Sequence, residues 1–280
     1  GPWPALVLVP GGSSAGSQAF RPPEAQGYAD LGYLVTVFDP DGRGRSAGLE
    51  DDNGHVHQDG LAAVVRFAAA HPDGTGRAVL ASFSYGVTLA SGALARHSDL
   101  PVDFFVDWEG PANRDDTGGC DGAGLGHLQS VGCANEAFWA QREAATFMRE
   151  VGVPYQRVQR GRDHVQPDNA HALLLVNRAT DRAFGGEGRA PWTRLNDLPP
   201  NRTYPDGFDQ GWLPDGARAE ALVGGYLAAF LDGELFDAVF NVGLDELQEL
   251  NSLHTDETAR RLYNLSLGPA GRRLLDWGDE

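Results

Sequence analysis

Lysine and isoleucine are absent from these 280 residues, and there are one methionine and two cysteines. All 22 basic residues are therefore arginine, a pattern that reads as the coding bias of a GC-rich genome. They face 39 Asp and Glu, which leaves a formal net charge of −17 and a pI near 4.7. This shortage of cations argues against nucleic acid as a partner, because phosphate binding needs clustered positive side chains. Anionic membranes and polyanionic substrates are poor partners for the same reason. No apolar run approaches the ~20 residues of a membrane helix. No signal peptide opens the chain, although a mature protein would have lost one. Gly1-Pro2 has the form of a scar left by tag cleavage. Cys120 and Cys133 lie close together in one glycine-rich stretch, which permits a disulfide closing a short loop. A disulfide points to a secreted or periplasmic protein, with a cytoplasmic one as the alternative.

An apolar content of 41%, with 37 glycines and 17 prolines, fits one large, loop-rich globular domain. Compact apolar runs at 5–9, 33–39, 78–81, 101–108 and 153–160 read as strands, with a short last one at 192–195. Segments at 58–70, 85–96, 136–150, 168–179 and 217–231 read as helices, the first on Leu61, Val64, Val65, Phe67 and Ala68. Pro72 and Gly74 end that helix. Strand and helix alternating in this way imply an α/β fold with a mainly parallel sheet between helices. Ligands in such sheets bind at the carboxyl ends of the strands.

The most informative stretch is 78–90, where an apolar strand ends abruptly at Ser82-Phe83-Ser84-Tyr85-Gly86 and a helix follows at once. Strand, sharp turn bearing a serine, helix is the layout of a nucleophile elbow, in which small residues flank the strained serine. Ser82 stands where the first glycine is usual, and Gly86 keeps the second. An earlier strand runs into Pro10-Gly11-Gly12-Ser13, and a later one into Gly161-Arg162-Asp163-His164-Val165-Gln166-Pro167.

Together these motifs resemble the α/β-hydrolase family over residues 5–231. The resemblance implies an α/β-hydrolase-like sheet, a lid-like insertion at about 112–150, and ester hydrolysis through an acyl-serine on Ser84. Boundaries fall at 1–235 for the catalytic domain and 236–280 for a helical C-terminal appendage, which has no counterpart in the family pattern. The one or two antiparallel strands that commonly precede the first family strand are missing here or lie outside this sequence. The backbone N–H of Tyr85 and one from Gly12 or Ser13 would form the oxyanion hole, and no metal or organic cofactor is required. Phe83, Tyr85 and Trp108 suggest an aromatic or apolar acyl group, on a small or polymeric ester, or else core packing. The loop Asp39-Pro40-Asp41-Gly42-Arg43-Gly44-Arg45-Ser46 resembles a structural loop of the family. Asp115, Asp116 and Asp121 lack calcium-loop spacing and read as a solvated acidic loop.

One element is missing from its usual place. A serine hydroxyl needs a base within hydrogen-bond reach, and no histidine lies between His171 and His254. His164 is the first candidate, with Glu109, at the end of the preceding strand, as its acid and Asp163 pointing away. His254 is the alternative base, with Asp163 as acid and the appendage folded back. His171 is a third candidate base whose stronger reading is a partly exposed helical residue; His55 and His57 read as surface loop, and His71, His97 and His127 have no motif around them. A peptidase of the same fold, or a binding protein without hydrolysis, stays open.

Overall fold

A computed structural model describes residues 1–12, 16–20, 22–117, 120, 128, 130–166, 168–196, 198–208 and 216–232. Two compact units divide the chain, Gly1–Val223 and Gly224–Glu280. The expected boundary near 235, the appendage 236–280 with His254, and Ser13, Asp121 and His127 lie outside the described residues.

In the first unit, six strands form one sheet in which every pairing is parallel: β1 (Trp3–Val9), β2 (Leu34–Val37), β3 (Gly74–Phe83), β4 (Val102–Trp108), β5 (Tyr155–Val158) and β6 (Thr193–Leu195). Their order is β2-β1-β3-β4-β5-β6. The unbroken burial of β1 from Ala5 to Val9 marks a strand covered on both faces, and its neighbours β2 and β3 complete the pattern. The expected mainly parallel sheet is therefore what the chain forms. Helices connect the strands: α1 (Pro22–Asp30), α2 (His55–Ala69), α3 (Gly86–Arg96), α4 (Glu136–Trp139), α5 (Ala144–Met148) and α6 (Ala170–Ala179). A further helix, α7, spans Gly216–Leu231.

Helix α2 buries Leu61, Ala62, Val65 and Ala68 in one core with Ala5, Val7 and Val9 of β1 and Leu89 and Ala93 of α3. Each large side chain buried in this way contributes roughly 1.5–3 kcal/mol. Phe67, expected on that face, is 76% exposed, because six residues past Leu61 is about two-thirds of a turn away from it. The expected continuous helix over 136–150 is two short ones. At the break Gln58 donates to the Gln141 carbonyl and Ala145 N–H bonds to Ala112 O, so the Ala145-to-Gln141 bond a continuous helix would make is replaced on both sides, while the Arg142 guanidinium reaches Asp51.

Register decides what the carboxyl ends of the strands present. Val9 pairs with Ser82, Phe83 with Trp108, and Trp108 with Val158. The residues just past these pairs therefore emerge side by side along one edge. The chain order changes direction between β1 and β3, the position at which open α/β sheets leave a crevice for ligands.

Candidate active site

Ser84 follows the last residue of β3 with φ +52°, a left-handed conformation that is uncommon for a side chain with a Cβ. Two features hold it there. Its N–H bonds to Trp108 O at 2.8 Å, which extends the β3–β4 ladder by one step, and Gly86 starts α3 directly after the turn. A Cβ on Gly86 would stand 2.8 Å from Pro10 O and 2.9 Å from Val9 O, and one on Gly11 would stand 2.6 Å from Phe83 O. Both positions admit only glycine, because the β1 loop and the elbow touch backbone to backbone. Ser82 is tolerated where a glycine is usual because its buried hydroxyl has a partner, Asp107 Oδ1 at 3.1 Å.

Glu109 repeats this construction one strand along. It follows β4 with φ +49°, and its N–H bonds to Val158 O at 3.0 Å. Its carboxylate is fully buried and accepts three bonds from Arg160, from the backbone N–H (3.0 Å), Nε (2.7 Å) and Nη2 (2.8 Å). His164, from the loop after β5, lies between the two strand ends. Its Nε2 stands 2.8 Å from Ser84 Oγ and its Nδ1 2.9 Å from Glu109 Oε2. A carboxylate can only accept, so the Nδ1 proton faces Glu109, and in the neutral ring Nε2 turns its lone pair toward the serine hydroxyl. The ring stacks on Trp108, centroids 5.2 Å apart, with the Arg160 guanidinium 4.8 Å from the centre of that indole.

Asp163 does not point away from this group. Its Oδ1 lies 3.2 Å from the same His164 Nδ1. The turn is the reason: Oδ1 also accepts the N–H groups of Val165 (2.8 Å) and Gln166 (3.1 Å), which folds the carboxylate back beneath the loop. Oδ2 accepts from Gln159 Nε2 at 2.8 Å and faces His171 Nε2 at 3.3 Å. His171 is buried, not partly exposed, because α6 turns it inward against Arg157 and Gly110 O. His57 is likewise buried inside α2, where it braces the 41–53 loop through Asp41 O and Asn53 N–H.

These contacts set the charges. Burial alone would lift Glu109, but the hydrogen bonds from His164 and Arg160 hold it below the ordinary carboxylate value. Asp163 lies far below that value, because donors from His164, His171, Gln159 and Val165 outweigh its burial. Burial pulls the His164 pKa down, and the bonds to Asp163 and Glu109 overcome it and push the ring up to about 9. Glu109, Asp163 and His164 also lie close enough together to suggest a metal site. The guanidinium seated on Glu109 disfavours a cation there.

The oxyanion candidates divide. Gly12 has φ +71° in the loop after β1, and Tyr85 occupies the first turn after the serine. The Tyr85 ring is not a substrate contact: it is fully buried against Leu128 and Trp139, and its hydroxyl donates to Asp52 O at 3.1 Å. Phe83 and Trp108 are partly exposed, and Phe20 joins them edge-on to Phe83 at 5.3 Å. Asp116 bonds the backbone of Ala112 and Asn113 and is not merely solvated. Cys120 and Cys133 form a disulfide, with Leu128 inside the loop it closes. Arg160, Gln159 and His171 had no motif to mark them. Their only signal was position, at or after the end of β5.

No family model and no curated protein matches the sequence. Solved structures do. An esterase of Pyrococcus furiosus is 17% identical, with 82% of this chain and 81% of that one covered and a TM-score of 0.57. Est1E of Butyrivibrio proteoclasticus, solved with ferulic acid bound, is 14% identical over 83% and 90%, with a TM-score of 0.55. An acylaminoacyl peptidase of Pyrococcus horikoshii is 16% identical over 82% of this chain but only 37% of its own, with a TM-score of 0.52. At such identities the likeness is one of fold.

Proposed function

We propose that this chain, which has the α/β-hydrolase fold, is a serine-dependent hydrolase of carboxylic esters. The observation that carries the proposal is the unbroken run of contacts from Ser84 Oγ through both nitrogens of His164 to Glu109. In this mechanism Ser84 Oγ attacks the ester carbonyl as its proton passes to His164 Nε2. The backbone N–H of Tyr85 and one from Gly12 or the neighbouring Ser13 hold the oxyanion, a contribution typically of about 3–4 kcal/mol. His164 then protonates the leaving alcohol, and water repeats the sequence to free the acid and regenerate Ser84. Glu109 fixes the tautomer and ring orientation. His164 replaces the family's usual late histidine, so His254 is not needed.

The partly exposed rings of Phe20, Phe83 and Trp108 beside the serine support an aromatic or apolar acyl group, on a small or a polymeric ester. The ferulic acid bound to Est1E, a neighbour in fold, is consistent with that choice. The disulfide supports a secreted or periplasmic setting. The likeness to the acylaminoacyl peptidase keeps peptide bonds as the second substrate class.

The deciding experiment is labelling with a fluorophosphonate, followed by mass spectrometry of the modified peptide. Modification at Ser84 that is lost in His164→Ala is the expected result. A folded protein that takes no label would leave a binding role. Turnover of peptides but not esters would favour the second class.

A further inference from the structure

Two carboxylates stand at one imidazole nitrogen, and they are not equivalent. Glu109 is met by a guanidinium on both oxygens, so its charge is cancelled within the pair. The hydrogen bonds Asp163 accepts come from the Gln159 amide and the N–H groups of Val165 and Gln166, with imidazoles at His164 and His171. Among the described residues none comes from a guanidinium. We infer that Asp163 is a positioning residue for the base, a second acid whose uncancelled charge holds the positive charge that His164 takes on when Ser84 gives up its proton. The inference rests on His164 being the base and concerns what makes that base work.

The surroundings bear on the sum of charges. Toward His164 face Ser84 from the end of β3, Glu109 from the end of β4, and Arg160 and Asp163 from the loop after β5. Behind Asp163 stand His171 from α6 and Arg157 from β5, with Asp116 of the loop after β4 within electrostatic reach of His171. Arg157 is paired with Asp107, which also accepts from Tyr155 OH and Ser82, and both partners are fully buried. Its Nη2 is 3.1 Å from His171 Nδ1. The same Nδ1 also stands 3.0 Å from Gly110 O, and the opposite ring nitrogen, Nε2, faces Asp163. Glu109 is cancelled against Arg160, and Arg157 is paired with Asp107 while its charge also reaches Asp163, so of the two carboxylates at His164 Asp163 is the one that no guanidinium hydrogen-bonds among the described residues. When the Ser84 O–H bond breaks and the proton arrives at Nε2, the new imidazolium meets that carboxylate. A single carboxylate locked to Arg160 would leave the new cation beside a guanidinium with nothing in surplus.

The test is a pair of titrations. One follows kcat/KM against pH on p-nitrophenyl acetate; the other follows the His164 ring by NMR in ¹⁵N-histidine protein carrying Ser84→Ala. Asp163→Asn should move the acidic limb and the ring titration down by about one unit or more, the usual effect of one close charge. Asp163→Ser should do the same while keeping an acceptor for the turn that Val165 N–H closes. If both variants fail to fold, Glu109→Gln decides. With Asp163 in place the ring should still titrate above the ordinary imidazole value near 6.5, even with Arg160 released. Folded Asp163 variants with unmoved titrations, or a Glu109→Gln ring titrating at or below 6.5, would overturn the inference. The NMR arm reads His164 whether or not the protein turns over esters, so an unlabelled Ser84 would sink the proposed function without deciding this point.

Discussion

Positive φ at both Ser84 and Glu109 places the two side chains at the points where their strands stop, and His164 closes the gap between them. With Ser84 and His164 within hydrogen-bond reach, as the proposed nucleophile and base must be, two variants are informative. Ser84→Ala should abolish turnover and fluorophosphonate labelling. Glu109→Gln should lower kcat by about 10²-fold, less than the ~10⁴ expected when a triad loses its only acid, because Asp163 still faces Nδ1. Stopped assays with an activated ester would separate these figures. The pH dependence follows from the elevated base. Only the neutral ring can take the serine proton, so kcat/KM should climb about tenfold per unit of rising pH and level off near pH 9. Stability runs the opposite way. A folded-state pKa above the unfolded value means that the charged His164 stabilises the fold fully below about pH 6.5 and ceases to do so as the pH rises through about 9. Thermal melts across that window, wild type against His164→Gln, measure it. A profile already flat at pH 7 would contradict the charge assignment.

Elements position the residues, and they fail in different ways. The start of α3 leaves no room at Gly86, where a methyl group would press on the carbonyls of Val9 and Pro10. Gly86→Ala should therefore force β1 and the elbow apart, costing stability by roughly 1–3 kcal/mol and removing most activity, as denaturant melts and ester assays would show. A change in activity without loss of stability would mean that the turn gives way locally instead. On the far side of the elbow, the Tyr85 ring packs against Leu128 and Trp139, and Leu128 belongs to the loop that Cys120–Cys133 closes. With the cysteines 13 positions apart in sequence, the cross-link should stabilise by about 3 kcal/mol on the chain-entropy account. Cys120→Ser/Cys133→Ser should melt lower and lose part of kcat as Tyr85, the residue after Ser84, loses its support. Retained kcat in a folded double mutant would separate that loop from the site.

At the scale of the molecule, a net charge of −17 is the largest electrostatic feature that no local contact explains. Self-repulsion of that size should relax on screening, so the melting temperature should rise from low salt to about 0.3 M NaCl, and cationic esters should lose more kcat/KM than neutral ones over the same range. Much of the architecture was legible without coordinates. Parallel strands, crossover helices, the elbow at Ser84 and the Pro10–Gly12 loop follow from apolar period and turn chemistry, which are local properties of a chain. The expectation that nucleic acid is not a partner rests on a count of charges alone. Which histidine meets Ser84 was not local. His164, His171 and His254 could each be argued from order along the chain, whereas hydrogen bonding depends on where β4 and β5 end relative to β3. That is fixed by the pairing of Phe83 with Trp108 and of Trp108 with Val158. The same holds for Asp163, whose direction was set by two backbone N–H groups in its own turn, and for Arg160, an ordinary arginine until a buried carboxylate came within its reach. Sequence alone determined which chemistry was on offer and on what kind of sheet. Tertiary structure decided which side chains share it, because pairwise distance across a sheet is set by register and loop closure and not by separation along the chain.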